Sequence, residues 1–461
     1  MHQVQAKVQG EGVTTRIHVG DCRDVLKGMP DGWYHTVCTS PPYWGLRSYL
    51  DPDDPDKALE LGSEETPDLY VAHMVEVFRE VWRVLRPDGV CWLNLGDSFA
   101  SGKGTCYNPG GGSSSLGKER KAAGAHPLNR GNKSTLAQSG LKPKDLCMIP
   151  ARVALALQAD GWWLRSDIIW HKPNCMPESV TDRPTKSHEY MFLLTKSARY
   201  YFDADAVRET QHGDGRKRGC VHSKERSNGT GRNDGGQEWQ DNGGRNIRTV
   251  WTIPTRSFKG AHFATFPPAL VTPCIKAGSS QRGCCPECGA GWERVTEREQ
   301  QLRPRPTGTE RERNRGGRTD GFTKMPDGLA GVSVTTTGWA PTCECYRPAY
   351  ERLGYTPDTQ GFTFPDGTEC TRAEALSLLS LYCADFLPPV PCRTLDPFGG
   401  AGTVALVARQ LGRDCDLIEL NASYAEMAQQ RLDATPVHTV ETDAGEVEVQ
   451  QMAMFSQVSV R

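Results

Sequence analysis

The sequence predicts an α/β fold, a doubly wound and mostly parallel sheet with a zinc-knuckle insertion and basic loops. Three stretches lead there. Tyr34-His35-Thr36-Val37-Cys38 is a short apolar run that reads as a buried strand. Pro41-Pro42 then stops it, because proline cannot donate to a ladder. Far along the chain, Thr394-Leu395-Asp396-Pro397-Phe398-Gly399-Gly400-Ala401-Gly402-Thr403 reads as strand end, glycine-rich turn and helix start. Between them, Val71, Met74, Val75, Phe78, Trp82 and Leu85 recur at three- and four-residue steps, the apolar stripe of a helix lying on a sheet.

In chain order, Arg16 to Gly20 is a short strand, and Asp21 stands where a helix from Cys22 to Gly28 begins, a position aspartate caps well. The next strand ends in Thr39-Ser40-Pro41-Pro42-Tyr43-Trp44, a stiff turn at the carboxyl end of a strand, where open α/β sheets bind ligands. It offers a small hydroxyl, a backbone carbonyl that no sheet partner requires, and an aromatic ring. Those groups can hold a planar base and accept hydrogen bonds from its exocyclic amine. Taken alone, the same stretch also fits an ordinary proline turn with a core tyrosine. The amphipathic helix ends at Pro87-Asp88-Gly89, and Val90 to Leu95 is the following strand, with Gly96-Asp97-Ser98 at its tip as a wall of the base pocket.

Residues 100–140 dissolve into Gly, Ser, Asn and Lys, a composition that cannot bury a core. Lys118, Arg120 and Lys121 sit at its centre, which fits a loop that orders on a phosphate backbone. A helix from Asp145 to Asp160, a strand from Trp163 to Trp170 and a strand from Tyr190 to Thr195 follow. The polar, proline-set segment between those strands carries Lys172, Arg183 and Lys186, which suit phosphates flanking an extruded nucleotide. Residues 208–248 are a second low-complexity stretch. Thr265 and Phe266 precede a helix from Ala269 to Ala277.

Cys285-Pro286-Glu287-Cys288-Gly289 has the form of a zinc knuckle, and Cys343-Glu344-Cys345 supplies a second pair. Four thiolates from protein leave no open position, so the expected metal is structural zinc, folding an inserted module, residues 282–347, that touches DNA. Cys284 competes with Cys285 for the ligand role, and the knuckle register favours Cys285. A helix from Arg372 to Phe386 leads to the glycine turn. Beyond it, a helix from Val404 to Leu411 closes at Gly412, and the strand from Asp416 to Leu420 carries Glu419 about 20 residues past the glycines, where a carboxylate takes both hydroxyls of a ribose.

Composition narrows the alternatives. The chain has 461 residues and a net charge of −2, so a nucleic-acid partner must be met by local positive charge. There is no apolar run of membrane-spanning length, and Met1-His2-Gln3-Val4 does not open a signal peptide. The 17 cysteines are mostly scattered through apolar runs, as in a reducing cytoplasm.

Together the Ser-Pro-Pro-Tyr turn, the later glycine turn and the terminal acid resemble the amino-group DNA methyltransferases that use S-adenosylmethionine. The order, catalytic turn before cofactor turn, is that of the β class. The resemblance runs from Ile17 to Leu432 with three regions outside it. It implies a catalytic half in residues 1–99 and 141–281, a cofactor half in 385–435, and target recognition in 208–248. It further implies that Ser40 and the Pro41 carbonyl accept from the target amine within the Ser40-Pro41-Pro42-Tyr43 turn, while Tyr43 stacks on the extruded base. Asp21, Thr265, Phe266, Asp396, Phe398, Gly399, Gly400, Gly402 and Glu419 would surround the cofactor. Serine at the first motif position resembles the cytosine-N4 enzymes, and Asp or Asn the adenine-N6 enzymes; Trp44 is expected to help fill a small pocket. Double-stranded DNA is the implied partner, a restriction endonuclease the implied companion, and the cytoplasm of a bacterial or virus-infected bacterial cell the implied location. A dinucleotide-dependent oxidoreductase would leave the Ser40 turn without a role. A zinc-dependent DNA-binding protein with an inactive methylase core is opposed by the intact Ser40, Tyr43, Asp396, Gly400 and Glu419.

Overall fold

The structure, a computed structural model, describes residues 6–10, 12–46, 49–50, 53–100, 106–107, 140–209, 245–255, 266–302, 329–352, 361–363, 369–371 and 380–435. Thr265, Lys118, Arg120 and Lys121 lie outside them, as do most of the two low-complexity stretches.

Among the described residues one nine-stranded sheet organises the chain. Its strands are β1 (Ala6–Gly10), β2 (Val13–Val19), β3 (Tyr34–Thr39), β4 (Leu85–Leu95), β5 (Trp163–His171), β6 (His188–Thr195), β7 (Val250–Thr252), β10 (Arg393–Asp396) and β11 (Asp414–Glu419), with β8 (Glu293–Leu302) and β9 (Leu329–Ala340) forming a separate hairpin. The spatial order is β1-β2-β11-β10-β3-β4-β6-β5-β7. From β2 through β4 every neighbour is parallel. Beyond β4 the sheet turns antiparallel at β6 and β5. The connection reverses between β10 and β3, and that switch point is where an open α/β sheet leaves a crevice at its carboxyl edge.

All six residues of β3 are buried, which is why the run reads as continuously apolar instead of alternating. Helices cover both faces. Val37, Cys91, Leu93 and Ile418 face one core with α1 (Cys22–Lys27), α2 (Pro67–Val84) and α3 (Ile149–Ala159). Their strand neighbours Cys38, Trp92 and Leu417 face a second core with α4 (Pro268–Gly278), α6 (Thr403–Gln410) and α7 (Ala422–Asp433). The short α5 (Arg347–Arg352) belongs to the cysteine module. Fully buried side chains such as Phe78 and Met74 on α2 each stabilise the fold by about 1.5–3 kcal/mol. The start of α2 is set by Thr66, whose hydroxyl accepts from Leu69 N at 3.2 Å, with Pro67 in the first turn.

Two boundaries differ from expectation. The helix expected from Asp145 begins at Ile149, because Met148 takes a left-handed φ of 54° and residues before it bond back to the segment after β4, with Cys147 N donating to Ser98 O at 2.9 Å. Pro87-Asp88-Gly89 does not separate helix from strand. It lies inside β4, where the pairing with β3 shifts register. No helix among the described residues is long and apolar enough to cross a membrane.

Candidate active site

The five parallel strands end on one rim, and their carboxyl ends line a cavity of about 780 Å³. Asp21 reaches it from the end of β2, Ser40 to Tyr43 from β3, Gly96 and Asp97 from β4, Phe398 to Gly400 from β10 and Glu419 from β11. Lys172, Lys186 and Phe266 join the lining from elsewhere in the chain. Residues some 380 positions apart in sequence therefore share one cavity.

The Ser40 turn is held from several sides. Tyr70 donates its hydroxyl to the Pro42 carbonyl at 2.8 Å. Among the described residues no donor bonds the Pro41 carbonyl, which leaves it for a ligand. Tyr43 points its hydroxyl at Glu189 Oε2 (2.9 Å) and Asn94 Oδ1 (3.0 Å), and Ser40 Oγ donates to the same Asn94 Oδ1 at 3.2 Å. The Asn94 amide nitrogen donates to Tyr190 O at 3.0 Å, which aims its oxygen at the two hydroxyls. A serine that donates to Asn94 presents its lone pairs elsewhere, as an acceptor. Burial, with the charge of Glu189 added, holds the Tyr43 phenol well above its ordinary pKa, so it stays a neutral donor.

On the other side, Glu419 is gripped by backbone. Gly400 N donates to Oε2 at 2.7 Å and Asn421 N to Oε1 at 2.9 Å, leaving each oxygen a further lone pair for ligand hydroxyls. Burial raises its pKa, and those two bonds oppose the rise. Asp21 both lines the cavity and caps α1, accepting from Arg23 N at 2.8 Å while pairing with the Arg23 guanidinium. Gly402 does not line the cavity. It takes φ 72° at the start of α6, and a Cβ there would stand 2.9 Å from Ala428 Cβ, so it serves helix packing. Asp396 does not line it either: its carboxylate accepts from Thr39 Oγ1 at 2.7 Å and Phe398 N at 3.1 Å, tying β3 to β10 under the crevice.

One expectation needs correcting. Trp44 does not fill the cavity; it is buried in the helical core and its indole donates to Glu64 O at 2.8 Å. Lys172, Arg183 and Lys186 each have a carboxylate partner in the structure. Lys172 pairs with Glu189 and lies over the Trp170 ring; Lys186 sits 3.7 Å from Asp97; Arg183 pairs with Glu178 at 2.5 Å, stacks on Phe99 and stays outside the lining. Burial lowers the Lys186 pKa. Asn94 and Glu189 escaped the sequence reading, although each is a polar residue set in an apolar strand, a signal that it has a specific partner.

Comparison with known proteins follows from this geometry. The family profile of N6/N4 DNA methylases matches residues 34–285, a span that opens with β3 and its Ser40 turn. The chain belongs to this family. As an amino DNA methyltransferase it is 42% identical over 261 residues to the Type II methyltransferase M.Cfr9I of Citrobacter freundii, covering 56% of this chain and 71% of that one. It is 40% identical over 268 residues to M.SmaI of Serratia marcescens, covering 58% and 76%. A third relative, M.XycI of Xanthomonas campestris pv. cyanopsidis, is 42% identical over 260 residues, covering 56% and 71%. The methylase family span ends before the glycine turn at Phe398, so the cofactor side of the cavity rests on the geometry given above.

Proposed function

We propose that this methyltransferase moves a methyl group from S-adenosylmethionine to the exocyclic N4 of a cytosine extruded from double-stranded DNA. One observation carries the reading: a single cavity is lined at once by the Ser40-Pro41-Pro42-Tyr43 turn and by the Phe398–Gly400 turn with Glu419. S-adenosylmethionine supplies an electrophilic methyl on a sulfonium, which needs no metal to leave. Glu419 takes the ribose hydroxyls, Asp21 closes over the adenine, and Phe398, Gly399 and Gly400 bring backbone close to the nucleoside. Phe266, with Thr265 before it, packs the methionine part. Ser40 Oγ and the Pro41 carbonyl accept the two amine protons, which turns the nitrogen lone pair toward the methyl and raises its electron density. Tyr43 holds the base by its ring. As the new N–C bond forms, the S–CH3 bond breaks with its electron pair left on sulfur, so S-adenosylhomocysteine leaves as a neutral thioether and the amine sheds one proton toward solvent.

The preference for cytosine rests on Ser40, an uncharged acceptor at the first motif position. The loop with Lys118, Arg120 and Lys121 remains the proposed phosphate-binding element, residues 208–248 the proposed target reader, and a restriction endonuclease a fitting companion for a relative of Type II methyltransferases. Treating DNA with the pure enzyme and separating its nucleosides by mass spectrometry should show N4-methylcytosine, lost in Tyr43→Ala. N6-methyladenine in its place would overturn the base and leave the fold standing.

Cofactor binding has its own test. Glu419→Ala should weaken S-adenosylmethionine binding by about 1.5–3 kcal/mol, the scale of charge-assisted hydrogen bonds. Calorimetry that returns wild-type affinity for the variant would remove Glu419 from the ribose site.

A further inference from the structure

The cysteine module stands apart from the proposed methyl transfer, and its residues converge. The ligand atoms of Cys285, Cys288, Cys343 and Cys345 all lie within 4.8 Å of one another. A zinc ion with sulfurs at about 2.3 Å in a tetrahedron needs them about 3.8 Å apart, so the set fits with small side-chain rotations. Convergence follows from topology. Cys288 and Cys343 are far apart in sequence, but β8 and β9 pair antiparallel with Glu293 opposite Ala340, which returns the second pair to the first. The first pair has the knuckle backbone: Gly289 N donates to Cys285 O and Cys285 N to Ala290 O, each at 2.9 Å, and Gly289 takes φ 74°, which favours glycine. Cys285, Trp292, Tyr346, Ala349 and Cys383 form a core separate from the two that sandwich the sheet. So small a core does not hold a module together without a staple.

We propose that these four thiolates bind one structural zinc ion and that the metal's task is to lock the amino ends of the sheet. The knuckle meets the parallel strands at the end opposite the cavity. His35, second residue of β3, bonds Gly289 O through Nε2 at 2.8 Å while its Nδ1 accepts from Arg393 N at 3.0 Å. Arg86, second residue of β4, donates to Cys288 O at 2.9 Å. A Cβ on Gly289 would stand 2.6 Å from Arg86 Nη1 and 3.7 Å from Arg393 Nη1, so two guanidinium groups face a cluster that carries net negative charge once zinc is bound. β3 and β4 are thus tied to this turn directly and β10 through His35, so a metal that gathers the cysteines would hold three adjacent strands together. The placement gives the module a scaffold role beside the DNA contact expected of it. A second trio, His35, Cys284 and Cys392, also converges, but both His35 nitrogens are already bonded, so Cys284 lies in the docking seam and outside the metal shell.

The full chain, grown with zinc and purified without chelators, should carry about one zinc by elemental mass spectrometry. Cys288→Ser and Cys345→Ser should lose it, and Cys284→Ser should keep it. Cobalt exchanged into the wild type should give the visible bands of tetrahedral thiolate coordination. Zinc removal should speed hydrogen exchange at the start of β3 and β4 while S-adenosylmethionine affinity stays within about twofold. A wild type that takes up neither metal, or a Cys288→Ser protein that keeps its zinc, overturns the site; loss in Cys284→Ser overturns the ligand assignment. Unchanged exchange at β3 and β4 overturns the locking role. Should the serine variants fail to fold, titrating wild-type thiols with a mercurial decides the point, because zinc must leave in step with thiol modification.

Discussion

Gly96→Ala is expected to lower kcat/KM on DNA about a hundredfold while S-adenosylmethionine still binds. An ideal Cβ on Gly96 would stand 2.5 Å from Tyr43 Cε2 and 2.9 Å from Cδ2, closer than carbon atoms approach. The ring must move, because its surroundings leave no slack. Two prolines stiffen the turn before it, Tyr70 holds the Pro42 carbonyl, and the phenol is tethered to Asn94 and Glu189. A displacement of about 1 Å in a group that positions a reacting base costs on the order of 10² in rate. The cofactor side, built on Gly400 and Glu419, lies across the cavity and keeps its own hydrogen bonds. Steady-state kinetics, calorimetry with S-adenosylmethionine and a melting curve separate the effects. A folded Gly96→Ala enzyme with near wild-type turnover would mean that the Tyr43 ring does not position the base.

Both turns were legible in the sequence because local rules dictate them. Prolines cannot extend a ladder, and the glycine turn needs residues at φ 49° and 72°, which Gly400 and Gly402 supply. The turn from Cys285 to Gly289 was legible for the same reason, since its spacing is a local property of the backbone. What the sequence hid is what strand pairing decides. Asn94 stands opposite Met191 and Leu95 opposite Tyr190, and only that register brings Glu189 within reach of Tyr43. The cations of the 171–190 segment have partners that spacing does not reveal: Glu178 and Glu189 lie in the same segment, 5 and 17 residues from Arg183 and Lys172, and Asp97 comes from beyond the end of β4. Trp44 opens the turn that follows the Ser40-Pro41-Pro42-Tyr43 stretch, and its place in the core is set by tertiary packing and by the bond from its indole to Glu64 O. Where the knuckle docks is likewise a tertiary fact, fixed by His35 and Arg86.

Asp396→Asn is expected to remove the share of the pH dependence of stability that Asp396 contributes between about pH 4 and 7 and to leave the ligand-free protein more stable than wild type at pH 8. Asp396 is 1% exposed, and its Oδ2 has no hydrogen-bond partner among the described residues. Burial pushes its pKa from 3.8 up to about 7; the bonds from Thr39 and Phe398 oppose the rise, and the charge of Glu419 adds to it. The folded state therefore binds this proton more tightly than the unfolded state. Its stabilising contribution is fully present below the unfolded pKa and is lost as pH rises through the folded value. At pH 8 the ionised carboxylate costs on the order of 4 kcal/mol, from about three pKa units at 1.36 kcal/mol each. Asparagine keeps the Oδ1 acceptor for Thr39 and Phe398 and removes the charge. Its amide leaves a buried donor unpaired, at about 1–3 kcal/mol, so the variant should be less stable than wild type at pH 4, where the wild type has lost only about 0.6 kcal/mol, and more stable at pH 8. Urea unfolding at both pH values reads the crossing directly. Parallel curves with asparagine below wild type throughout would show that Asp396 is already ionised in the folded chain. Its tie between the strand ends bearing Ser40 and Phe398 would then be a charged one.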